Sequence, residues 1–148
     1  MANAHTIESF IKKLELTILD VVNNEVSDEL VDIVKRHVED DVYSKYEPTE
    51  YKRTKELKNS VQKEVELRGD NIEININHDS NQLNYESILG QELDPQKVPW
   101  LIEEGKIHPL FGGGFSYLQP RPYMSNAKGE IEGLIEKILG KAIVNKLK

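Results

Sequence analysis

Four histidines, His5, His37, His78 and His108, are the side chains best suited to bind a metal or move a proton near neutral pH, and each stands alone. None has a second ligand at helical spacing, and the chain has no cysteine to complete a thiolate site or act as a nucleophile. The serines have no Gly-x-Ser-x-Gly elbow around them. Gly112-Gly113-Gly114 lacks the Lys-Ser/Thr pair that lets a phosphate loop reach phosphate and magnesium, so it predicts a backbone too free for a regular element. Asp79 and Asn81 resemble part of a calcium loop without its glycine and terminal glutamate, and are read as a polar turn. Glu39, Asp40 and Asp41 are consecutive, so on a helix they point in different directions and cannot converge. Arg68-Gly69-Asp70 falls where a tight turn is needed and is read as turn chemistry. No enzyme, cofactor or metal site is expected.

The remaining unusual cluster is Tyr43, Tyr46 and Tyr51 followed by Lys52, Arg53, Lys55 and Lys58. Tyrosine and arginine bury area at low entropic cost, which suits a protein interface. Aromatics interleaved with bases also suit stacking on single-stranded nucleic acid. The interface is the expected use, against an acidic face of a neighbouring copy, with pairing inside one chain as the plain alternative. A small cytoplasmic adaptor that binds single-stranded nucleic acid or a protein partner through residues 43–58 is the alternative function.

These residues need elements to hold them. Ile7, Phe10, Ile11, Leu14, Ile18, Val21 and Val22 recur at spacings of three and four, and so do Val26, Leu30, Ile33, Val34, Val38 and Val42. Two helical segments, 6–22 and 27–45, are expected, with Asn23-Asn24 and Ser27 as a break, Ser27 capping the second, or as a weak point in one long helix. Pro48 marks the stop. Between 57 and 77 the period changes to two: Val61, Lys63, Val65 and Leu67, then Ile72, Ile74 and Ile76, flank the turn residues Arg68-Gly69-Asp70-Asn71. That is a hairpin whose apolar face the helices would cover. Residues 106–118 read as a long loop with aromatic flanks, and Pro122 opens a C-terminal helix over 122–147. The expectation is one α+β domain over 1–148: helical 6–45, sheet and long loop 57–119, and a C-terminal helix.

Composition bounds what such a domain can do. The 148 residues are 38% hydrophobic and 30% charged, enough for a core without staples. No apolar run approaches the ~18–20 residues of a membrane span, and no export signal is expected from Met1-Ala-Asn-Ala-His5. The net charge of −7 is wholly placed in residues 1–50, with 12 acids against 5 bases, and residues 51–148 balance. Such a surface disfavours phosphate binding.

Two segments carry a family likeness. Arg53-Thr54-Lys55-Glu56-Leu57-Lys58-Asn59-Ser60-Val61 and Arg121-Pro122-Tyr123-Met124, in that order around an aromatic, glycine-bearing loop, resemble small tailed-bacteriophage tail-completion or head-tail joining (minor capsid) proteins. That family has an acidic helical N-terminus, an Arg-Thr-Gly-x-Leu-x-x-Ser-Ile signature opening a hairpin, and an Arg-Pro-Phe/Tyr-Met/Leu signature opening a C-terminal helix. Lys55 replaces its glycine, so the turn there is expected to differ, and the likeness spans roughly 25–148. It implies a non-enzymatic virion protein of the neck or tail, assembled in the host cytoplasm as a ring of six or twelve copies. Its expected partners are further copies, connector or tail-tube proteins, and DNA that passes without specific binding; no membrane is involved. Tyr43, Tyr46, Tyr51, Lys52, Arg53, Phe111, Phe115, Tyr117, Arg121 and Tyr123 are the expected interface residues. If residues 27–45 line a channel, their acids would repel passing DNA.

Overall fold

The computed structural model describes residues 2–45, 55–83, 94–109 and 115–148, with backbone alone for 2–5, 106–109 and 115–118. The two expected N-terminal helices are present and they are joined. Helix α1 (Ala2–Val21) runs through a π-turn (Val22–Val26) into α2 (Ser27–His37), then through a second π-turn (Val38–Val42) into a last 3-10 turn (Tyr43–Lys45). Every junction residue keeps right-handed helical geometry, so the rod is unbroken. Ser27 is therefore no N-cap: its hydroxyl donates back to the Asn23 carbonyl at 2.7 Å.

The apolar spacing explains the π-turns. Positions 18, 22, 26 and 30, and again 30, 34, 38 and 42, are apolar at intervals of four. Twelve residues at 3.6 per turn would swing the stripe by about 120° off its face. One extra residue per π-turn takes back about 100°, so Val26, Leu30, Val34, Val38 and Val42 stay buried along one line.

Helix α5 (Tyr123–Leu147) lies antiparallel along that line. Asn126 reaches Asp41, Glu130 reaches His37, and Lys146 reaches Asp20. Val21, Val26, Leu30, Ile33 and Val34 meet Ala127, Ile138 and Ala142 to form the main core. Strands β1 (Val61–Arg68) and β2 (Asn71–His78) pair as the expected antiparallel hairpin and pack Val61, Ile74 and Ile76 onto this core. The fold is α+β as read. Residues 57–59 belong to a short helix, α3 (Glu56–Asn59), so the strands begin later than the expected boundary at 57. Gly69, the first of two turn residues, takes φ +61, which glycine reaches without strain. Lys63 faces the apolar side but carries its ammonium out to Asp28 at 2.5 Å and to the Asn23 carbonyl at 2.7 Å.

A two-turn helix, α4 (Val98–Glu104), follows and is ended by Gly105 at φ +70. The expected long loop is corrected in part. Residues 106–109 and 115–118 pair as a second two-stranded hairpin, β3 and β4, with Ile107 opposite Tyr117. The triple glycine and Phe111 lie outside the described residues.

Candidate functional site

The first helical turn of α5 meets the end of β2 and the start of β1 at a buried polar junction. Ser60 and Tyr123 are completely buried. His78 lies between them, its Nδ1 2.7 Å from the Ser60 hydroxyl and its Nε2 2.8 Å from the Tyr123 hydroxyl. The Ser60 hydroxyl donates to the Leu57 carbonyl at 2.9 Å. That assignment orders the chain: His78 Nδ1–H donates to Ser60 Oγ, and the Tyr123 O–H donates to Nε2. Burial pushes His78 down to about 4, so the ring is neutral, and burial pushes the Tyr123 hydroxyl well above its ordinary value.

A serine beside a histidine invites comparison with a nucleophilic pair, and the proton placement decides against it. The serine hydroxyl is committed to a carbonyl, the ring nitrogen facing it already carries a proton, and no substrate could reach an atom this buried. The junction instead satisfies three buried polar groups at once and locks the hairpin to α5. Glu103 of α4 extends the lock: its carboxylate accepts from the Met124 N–H and the Ser125 N–H, each at 2.9 Å, and from the Ser125 hydroxyl. Pro122 has no side-chain acceptor, so this distant carboxylate caps α5 in its place.

Both signature segments meet here. Leu57, Ser60 and Val61 come from the first, Tyr123 and Met124 from the second. Lys55, at the position where the phage family has glycine, is the one non-glycine residue with positive φ among the described residues, at +62. The turn there keeps a glycine-like conformation despite the substitution, against the expectation that it would differ. The isolated histidines gave no hint of this junction. Its signal was in Ser60 and Tyr123, one polar member of each signature.

The expected interface residues separate into four groups. Tyr43 and Tyr123 are core residues, and the Tyr43 hydroxyl accepts from the Lys58 N–H at 3.1 Å, so neither is a surface anchor. Arg121 is half-buried, its N–H donating to the Ile102 carbonyl at 2.9 Å. Tyr46, Tyr51, Lys52, Arg53 and Phe111 lie outside the described residues; Phe115 and Tyr117 are placed on β4 by backbone alone. The plain alternative for the bases holds in part: Glu39 receives Lys58 at 2.7 Å and Lys55 at 3.7 Å within the chain. Arg68 likewise pairs with Glu66 on its own strand and with Glu73 across the hairpin, in keeping with turn chemistry.

A second polar knot fastens α2 to α5. His37 sits with Nδ1 2.7 Å from Asp41 and Nε2 2.6 Å from Glu130, and Arg36 also pairs with Glu130. Two carboxylate acceptors require both ring nitrogens to donate. Burial opposes the charged ring, but the hydrogen bonds to Asp41 and Glu130 outweigh it and raise the pKa. Farther round α2 and the second π-turn, Glu29, Asp32 and Asp40 are exposed and have no ion-pair partner among the described residues.

Two apolar surfaces escaped the sequence reading. A cleft of about 480 Å³ opens between the hairpin and α4, lined by Ile76, Asn77, Leu83, Pro99, Trp100 and Met124. Trp100 is 58% exposed, and the buried Asn77 Oδ1 has no partner among the described residues. The larger surface is on α1. Because Lys146 meets Asp20, α5 ends there, and the first two-thirds of α1 extends past it. Ile7, Phe10 and Ile11, expected on a core-facing stripe, are 58%, 65% and 49% exposed.

Among the described residues no three His, Cys, Asp or Glu side chains are placed to hold a metal ion, and no helix is long and apolar enough to cross a membrane. The family model YomN matches residues 6–148. No curated protein and no solved structure matches.

Proposed function

The chain belongs to the YomN family, and from that premise we propose that it is a structural bacteriophage virion protein of the neck or tail end, acting in head-tail joining or tail completion by ring assembly. The observation that carries this reading is the junction at His78. The two segments on which the phage likeness rests, 53–61 and 121–124, are far apart in sequence, and both contribute buried partners to one ring, Ser60 from the first and Tyr123 from the second. A likeness made of scattered chance matches has no reason to converge on one structural knot. The left-handed Lys55, standing at the family's glycine, supports it independently.

The mechanism is assembly without catalysis. The His78 and His37 knots hold hairpin, rod and α5 as one rigid unit, which then presents surfaces to further copies and to connector or tail-tube proteins. The exposed acids Glu29, Asp32 and Asp40 suit a wall that DNA passes without adhering, since phosphates meet like charge. Deleting the gene from the phage or prophage that encodes it, and viewing the particles by electron microscopy, tests the proposal. Filled heads and separate tails, rejoined when the protein is supplied, are expected; intact infectious particles without it refute the proposal. A ring structure with residues 27–45 on its outer wall refutes the channel arrangement alone.

A further inference from the structure

We infer that the projecting half of α1 is a self-association surface that packs against the same helix of a second copy, the two helices running parallel. This deepens the assembly reading above by naming the contact. Side chains from Thr6 to Lys13 are all exposed, so an arm of helix about 18 Å long, residues 2–13, stands clear of the other described residues. A helix of that length without tertiary packing is marginal in water, and most helical stability comes from covering an apolar face. Here the face exists, bare at Ile7, Phe10 and Ile11 and half-buried at Leu14 and Ile18. Ile7, Phe10, Ile11, Leu14 and Ile18 fall within one stripe about 100° wide, while Leu16 lies alone on the opposite side.

Charge selects the occupant. The arm carries Glu8, Lys12, Lys13 and Glu15, with no net charge, which lacks the lysine and arginine excess of helices that lie on anionic membranes or phosphate backbones. Counting about 100° per residue, Glu8 and Glu15 border one edge of the stripe and Lys13 borders the other. Two antiparallel copies would set like edges together, glutamates against glutamates and lysine against lysine. Two parallel copies set the glutamate edge of one against the lysine edge of the next. The helix is therefore complementary to itself in one orientation only.

The 148-residue chain tests this, and its lack of cysteine makes crosslinking specific. Sedimentation velocity is expected to show a concentration-dependent dimer or larger species. Phe10→Asp is expected to weaken association about a hundredfold with unchanged thermal unfolding of the body, since the side chain is 65% exposed and belongs to neither core cluster among the described residues. Lys13→Glu should weaken association, and the triple variant Glu8→Lys, Lys13→Glu, Glu15→Lys should restore it. Under mild oxidation the Ile7→Cys variant should form a disulfide between two copies. A strict monomer, a Phe10→Asp variant that associates like the native chain, no loss with Lys13→Glu, or a disulfide that forms only when Ile7→Cys and Leu14→Cys variants are mixed overturns the inference. Particles that still require the protein while it remains monomeric would sink this contact and leave the joining role standing. Dimers of a protein whose deletion leaves particles intact would do the reverse.

Discussion

Acid should unfold this protein through His78 before it titrates the carboxylates. The ring is buried, neutral and depressed to about 4, while in the unfolded chain it titrates near 6.5. Between those values the unfolded state binds the proton and the folded state refuses it. Stability is therefore fully present above about pH 6.5 and is lost as pH falls toward 4. The gap between about 4 and the unfolded value corresponds to about 3 kcal/mol at the low end of the window, with about 2 kcal/mol gone by pH 5. That is a large fraction of the 5–15 kcal/mol typical of a domain. Urea unfolding followed by circular dichroism at pH 7, 6 and 5 reads the loss as a falling midpoint at constant slope. His78→Gln should lower stability at pH 7, because glutamine cannot reproduce both hydrogen bonds, and it should flatten the pH dependence between 6.5 and 5. A wild-type midpoint unchanged over that interval, or a His78→Gln variant with the wild-type acid slope, would refute the argument, as would a proton resonance of His78 titrating near 6.5.

The opposite dependence is expected of His37, whose pKa is raised by Asp41 and Glu130. Its contribution is full below about pH 6.5 and is lost as pH rises through the raised value; Glu130→Gln should remove about 1 kcal/mol at pH 6 and less at pH 9, measured by urea unfolding at both. Glu103→Ala should cost about 1–2 kcal/mol by uncapping α5, and faster amide exchange at Met124 and Ser125 should locate the loss there. Lys55→Gly should stabilise by about 0.5–1 kcal/mol, since relief of a left-handed lysine outweighs the added freedom of the unfolded chain; a lower thermal midpoint would contradict the strain argument.

Periodicity made the elements legible because burial repeats with the backbone. The alternation from Val61 to Ile76 became the expected hairpin, and the C-terminal helix expected over 122–147 became α5. What periodicity could not do was distinguish a break from an inserted residue. Asn23-Asn24 and Ser27 look like a helix end by local preference, yet covering Val26 and Leu30 with α5 favours continuation, and a π-turn satisfies both. The apolar face of α1 read as core for the same reason: a stripe announces that something covers it, without saying whether the cover belongs to the same chain. The junction was hidden because Ser60, His78 and Tyr123 come from three elements, and hydrogen bonds between elements leave no spacing in a sequence.

The charge asymmetry illustrates how far composition alone can reach. All of the −7 falls in the first fifty residues, yet Asp28, Glu39, Asp41 and Asp20 are partnered by Lys63, Lys55 and Lys58, His37, and Lys146. The bases that answer them lie mostly beyond residue 50, in the half that balances only on paper. Part of the asymmetry is thus internal glue between the rod and what packs on it, worth little per exposed pair. The remaining acids among the described residues, Glu8, Glu15, Glu25, Glu29, Asp32 and Asp40, are exposed, and Glu29, Asp32 and Asp40 are those that α2 and the second π-turn present to a neighbour or a passing polyanion. A role of α2 and the second π-turn in repelling DNA therefore rests on these three residues. Charge reversal of Glu29 and Asp32 to lysine tests it: binding to double-stranded DNA should rise at low salt with the fold unchanged, and failure to rise would remove these acids from any role in repelling DNA.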